Sequence, residues 1–205
     1  MSWITEFEIV PSLGVAVTGG LLILLNNRRL ILGTLAFQYL FVAWLTGLAL
    51  PLQVAAAKMV AGFMACSILA VTLANIEPAH DAFESRTIPT GRLFRLAAFM
   101  LVFISSLGLG RSNWLSLPNL SSVALYGLTM LMAFGLLQIG LHEEPVRVGA
   151  GLLTLVSGFE VAYSGIEPSF AIIAMLSAVH MGIAFIMSYI LNLGFMKYPP
   201  EEVSE

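Results

Sequence analysis

The 205-residue sequence is short of charge. Only 10% of its residues are Asp, Glu, Lys or Arg, where a soluble domain carries roughly 25%. A chain this poor in charge cannot clothe a water-facing surface. It has one cysteine, Cys66, which excludes a disulfide framework and a cysteine-bound metal cluster. In its apolar setting that thiol reads as small core filler. Nucleophile elbow, phosphate-binding glycine loop and metal-ligand spacing are all missing, as are paired carboxylates at catalytic spacing. The net charge of -3 argues against a nucleic-acid partner. The opening stretch, MSWITEFEIV, holds Glu6 and Glu8 and no basic residue. A secretory signal begins basic, so this stretch reads as the outer end of a first membrane span.

What the chain has instead is apolar length. Hydrophobic residues make up 59% of it, and the mean hydropathy is +0.93. About 20 apolar residues cross the hydrocarbon as a helix. Seven segments qualify, at 9–26, 30–49, 52–75, 93–110, 120–141, 147–165 and 169–193. The fold class is therefore an all-α, polytopic transmembrane bundle of about seven helices. Polar turns at Asn26-Asn27-Arg28-Arg29 and His142-Glu143-Glu144-Pro145 separate spans, and Pro51 and Pro168 each open one, where the missing N–H is harmless. Glu77 to Arg92 is the one sizeable hydrophilic loop.

Seven spans place alternate loops on opposite sides. Arg28, Arg29, Arg86, Arg92, Arg95, Arg147 and Lys197 then share one side, and only Arg111 lies on the other. Basic residues favour the cytoplasmic side. The expected topology has the N-terminus outside and the C-terminus cytoplasmic in the cell (inner) membrane. Trp3, Trp44 and Trp114 fall at or near outer ends, as interfacial anchors do.

The chain also repeats itself. Arg29 to Gly33 aligns with Arg147 to Gly151, Pro51 with Pro168, and Lys58-Met59 with His180-Met181. The expected organisation is a first three-helix unit over 1–76 and a loop with a linker helix over 77–115. A second three-helix unit and short tail follow over 116–205. The odd linker helix makes the two units enter the membrane the same way, a parallel repeat of the kind transporters use.

Three ionisable residues fall inside spans, and such residues are expensive in hydrocarbon. Lys58 sits about six residues into its helix. It reads either as a snorkelling cation or as a buried amine able to exchange protons. Glu160 lies at a similar depth and can pair with Lys58 if their helices face each other, either as a packing pair or within a conducting path. His180 is near mid-membrane and reads as a satisfied neutral imidazole or as a proton relay. Bis-histidine haem ligation is disfavoured, because His80 and His142 lie in or beside loops. Gln38 and Gln138 can hold water or bond across helices. Glu143 and Glu144 beside Arg147 read as an ordinary charged turn. No cofactor is expected.

These residues resemble a known family. Arg147 to Leu191 is similar to the small K-type subunit of respiratory complex I, a three-helix proton-channel component. His180, in Leu176-Ser-Ala-Val-His-Met-Gly-Ile-Ala-Phe185, stands where that family has its second intramembrane glutamate. Leu153 takes the first glutamate's place, and Glu160 follows two turns later. The doubled plan resembles component E of the hydrogenase-4 type membrane hydrogenases, with Lys58-Met59-Val60 resembling a lysine of its third helix. The resemblance implies a non-catalytic membrane-arm subunit of a proton- or cation-translocating complex, at most part of an oxidoreductase-type assembly. Its partners would be antiporter-like and other membrane subunits in a lipid bilayer. The alternatives are a structural scaffold within such a complex and a small stand-alone transporter. Short loops and the lack of a glycine-broken helix argue against the last.

Overall fold

A computed structural model describes residues 2–76, 91–111, 120–166 and 169–197. Among them every regular element is an α-helix: α1 (Ser2–Leu24), α2 (Arg28–Ala49), α3 (Leu52–Ile76), α4 (Arg92–Arg111), α5 (Ser122–Leu141), α6 (Pro145–Ile166) and α7 (Phe170–Lys197). Six of them, α2 to α7, are long and apolar enough to cross a bilayer, and α1 contributes the shorter apolar stretch Ile9–Leu24. The protein reads on that basis as a multi-pass membrane protein. The first helix starts before residue 9, because Ser2 to Glu8 extends the apolar stretch as regular helix. Pro11 lies inside α1, a position membrane helices tolerate.

The helix ends follow their local chemistry. Asn27 caps α2, accepting a hydrogen bond from the Arg29 backbone N–H at 3.0 Å. Ser121 caps α5 through the Ala124 N–H at 3.2 Å. The Pro51 carbonyl accepts from Val54 and Ala55 at the start of α3. Each supplies a partner to a helix terminus that has none of its own. Pro168, Trp3, Trp114, His80 and the hydrophilic loop up to residue 90 lie outside the described residues or their described side chains.

The helices form two rows. Helices α1, α2 and α3 pack side by side, as do α5, α6 and α7, and the rows stack with α1 on α5, α2 on α6 and α3 on α7. Stacked partners run the same way: Ser12 of α1 bonds to Val123 at the start of α5, and Asn26 at its far end meets Arg147 at the opening of α6. Helix α4 leans on α5 and the flank of α1 and leaves most of its apolar surface exposed.

Glycines set the closest approach. A Cβ on Gly135 would sit 2.7 Å from the Leu155 backbone nitrogen and 2.8 Å from the Gly151 carbonyl oxygen. Only a glycine lets α5 and α6 touch backbone to backbone there, the small-residue packing of membrane helices. This pairing draws α6 into the middle of the bundle. One apolar cluster, with Leu35, Leu69 and Leu153, fills the space between α2, α3, α6 and α7. A second, with Leu45, Leu128, Phe134 and Val161, joins α1, α2, α5 and α6. Any polar group on the inner face of α6 is consequently shut away from lipid and from bulk water.

Candidate functional site

Helix α6 brings such groups inside. Lys58 stands six residues into α3 and Glu160 six residues before the end of α6, so both lie roughly 9 Å below one rim of the bundle. The Lys58 ammonium is in direct ion-pair contact with Oε2 of Glu160. Lys58 is 2% exposed and Glu160 3%. The lysine stem does not climb to the rim, which removes the snorkelling alternative. Helix α3 packs mainly on α2 and α7, and this ion pair adds a direct polar link to α6.

His180 of α7 completes the group. Its Nδ1 lies 3.2 Å from Oε1 of Glu160 and 3.1 Å from the Leu176 carbonyl oxygen. Both neighbours are acceptors, so Nδ1 carries a hydrogen. Its Nε2 lies 3.2 Å from Ser157 Oγ, and that oxygen is 2.8 Å from the Leu153 carbonyl. A serine hydroxyl has one proton to donate. Directed at Leu153, it leaves Ser157 accepting from Nε2–H, which suits an imidazolium. Directed at Nε2, it suits the neutral ring. One set of heavy-atom positions therefore serves both protonation states.

Tyr39 of α2 walls the site. Its ring centroid is 5.8 Å from that of His180, at an interplanar angle of 64°. Any Cβ at Gly62 would fall on the Tyr39 ring, so that glycine makes room for it. The buried Tyr39 hydroxyl neighbours Ser157.

Helix α6 carries the polarity further. Ser164, Glu160, Ser157, Thr154 and Arg147 are all buried and recur at intervals of three, four or seven, which is one helix face. From Ser164 to Arg147 the stripe runs roughly 25 Å. Gln38 on α2 is 1% exposed, and neither its side-chain amide atoms nor Thr154 Oγ1 has a protein hydrogen-bond partner among the described residues.

The stripe ends in a second cluster. Arg147 Nε donates to Glu144 Oε2 at 2.8 Å, and Arg28 Nε is 2.5 Å from Glu144 Oε1. Arg147 also donates from Nη2 to the Asn26 carbonyl at 3.1 Å and from Nη1 to His142 Nε2 at 3.0 Å. Arg95 of α4 donates to Asn26 Oδ1 at 2.9 Å. A guanidinium cannot accept, so His142 Nε2 is the acceptor and Nδ1–H donates to the Gln138 carbonyl at 3.1 Å. Burial, followed by the adjacent Arg147 guanidinium, pushes the His142 imidazole down from the usual 6.5 to about 4.

The structure thus brings Lys58, Glu160 and His180 into contact. Sequence reasoning missed Tyr39, Thr154 and Ser157, and read the 142–147 turn as ordinary. The regular recurrence of hydroxyls along 154–164 was the available signal for the stripe. For the cluster around Arg147 the sequence signal was partial, because its members come from three separate stretches, the α1–α2 turn, the start of α4 and the α5–α6 turn. No group of three or more His, Cys, Asp or Glu suited to a metal ion occurs among the described residues. Comparison with family models, with curated proteins and with solved structures finds nothing that matches this chain.

Proposed function

We propose that this chain is a non-catalytic membrane subunit of a proton- or cation-translocating assembly, and that Lys58, Glu160 and His180 form part of its charge path. One observation carries the reading: three titratable groups from three helices touch one another at membrane depth, walled off from lipid. Ionisable residues in such positions are costly to keep and are associated with ion pathways and proton relays.

The chemistry follows from the hydrogen bonds. Ser157 passes its hydroxyl proton to Nε2 as its oxygen takes another from internal water, which converts His180 to the imidazolium, and Nδ1–H then faces the Glu160 carboxylate. Transfer to Oε1 neutralises Glu160 and loosens its hold on Lys58. The ammonium can then pass a proton to internal water, and transfer of the Glu160 proton to the neutral amine restores the ion pair. The α6 stripe through Thr154 and the unpaired amide of Gln38 leads toward the Arg147 cluster. Buried polar groups of this kind are satisfied by internal water.

On this reading the arginine-rich end faces the cytoplasm, the N-terminus is outside, and the host is the cell membrane. The exposed apolar face of α4 would lie against antiporter-like partners, as the likeness to component E of hydrogenase-4 type complexes and to the K-type subunit implies. A scaffold role is the second reading, and the direct Lys58–Glu160 contact favours it to the extent that a buried pair also fixes packing. Purification in mild detergent distinguishes the assembly from a lone transporter. Co-purification with antiporter-like subunits supports the proposal; a chain that purifies alone and moves solute in liposomes overturns it.

A further inference from the structure

A groove of about 480 Å³ is lined by residues of α2 and α3. Short residues at helical spacing, Gly33 and Ala36 on α2 and Ala70 and Ala74 on α3, form part of its walls, with Leu32 and Leu73 beside them. A Cβ at Gly33 would meet nothing within 4 Å, so the space beside it is open. Phe63 closes one end. From Phe63 to Ala74 the groove extends roughly 16 Å along α3. Arg29, in the first turn of α2, stands at the other end.

The lining is mainly apolar along its length, with the Ser67 hydroxyl turned back onto the Phe63 carbonyl, and cationic at its mouth. The mouth is also the N-terminus of α2, where the helix dipole favours negative charge. Arg28 of the same turn and Arg147 lie at the same end of the bundle. The volume is within the ordinary range for a small-ligand site. In a membrane the molecule with this shape and charge is an anionic phospholipid. Basic pockets between membrane helices bind such headgroups.

We propose that the α2–α3 groove is a binding site for an anionic phospholipid of the surrounding bilayer, with one acyl chain lying along Gly33, Ala36 and Ala70 and its phosphate on Arg29. The site requires only that the chain sit in a membrane, and it stands whether or not Lys58 and Glu160 conduct. Filling the groove displaces the chain; changing the arginine weakens only the preference for charge.

Native mass spectrometry of the full-length protein, titrated with phosphatidylglycerol or phosphatidylcholine, tests this. The wild type is expected to retain phosphatidylglycerol in preference to phosphatidylcholine. Arg29→Gln is expected to reduce that preference about fivefold, the equivalent of one basic residue near a membrane surface, and Arg29→Lys to keep it. Gly33→Leu and Ala70→Leu, each placed in open space, are expected to abolish retention of both lipids at this site. Equal retention of the two lipids by the wild type would overturn the proposal, as would undiminished phosphatidylglycerol binding by both leucine variants. Loss of a co-purifying membrane protein from those variants, with lipid retention unchanged, would assign the groove to a partner helix instead.

Discussion

Lys58 of α3 and Glu160 of α6 form an ion pair on helices that otherwise touch little. Both are buried, so neither charge can be relieved by water. Breaking a buried pair by removing one member leaves the other uncompensated, at a cost of about 3–5 kcal/mol, whereas replacing both by apolar residues is often neutral. Lys58→Met alone should therefore lower the thermal stability of the purified protein sharply, and Lys58→Met with Glu160→Leu should restore it. A single variant as stable as the wild type would show that the pair is not closed to water.

His180 separates structure from proton transfer. Glutamine can donate and accept hydrogen bonds but does not titrate. His180→Gln is expected to fold and assemble with its partners while proton flux falls. Ser157→Ala should act in the same direction, because Nε2 then has no partner that serves both protonation states, and should lose about 1 kcal/mol of stability with the bond. Ser157→Thr keeps the hydroxyl and should keep the flux. The comparison is read as flux per assembled complex after a pH jump.

His142 gives the fold a pH dependence. Its imidazole titrates near 4 in the fold, held below the usual 6.5 by burial and by Arg147. The unfolded chain therefore takes up this proton first as pH falls. The contribution of a neutral His142 is complete above about pH 6.5, declines between 6.5 and about 4, and is level below that; it amounts to at most about 3 kcal/mol. Melting temperatures in detergent should fall through that window, and His142→Gln should flatten the fall. An identical pH profile for the variant would remove His142 from the account.

Gly135 and Gly33 should respond oppositely to alanine. The added methyl at 135 meets the backbone of α6 at 2.7 and 2.8 Å, and backbone cannot rotate aside. Gly135→Ala should lose about 1–3 kcal/mol. At Gly33 nothing lies within 4 Å, so alanine should be neutral or gain about 0.5–1 kcal/mol from helix propensity. Thermal melts of the two variants side by side check both.

The helices were legible because hydrocarbon leaves a chain few options. Spans between polar turns, with prolines at their starts, fell within a few residues of α2 to α7. The depths of Lys58, Glu160 and His180 could be counted from helix ends, which made their meeting a possibility. That they do meet depends on Gly135 and Gly151 drawing α6 to the centre, and a glycine in an apolar run does not announce which helix it admits. The dual role of Ser157 was hidden for a similar reason: a serine one turn from a glutamate is ordinary until an imidazole arrives from α7. The Arg147 cluster gathers Asn26, Arg28, Arg95, His142 and Glu144 from separate helix ends, and no local spacing encodes that.

The most direct measurement is proton translocation by the assembled complex in sealed membrane vesicles, comparing the wild type with the Lys58→Met, Glu160→Leu double variant. The double change removes the charges and keeps the interior apolar, so assembly, judged by subunit co-purification, should be intact. Normal assembly with translocation abolished is the expected result. Normal assembly with normal translocation would contradict it and leave the pair as packing alone.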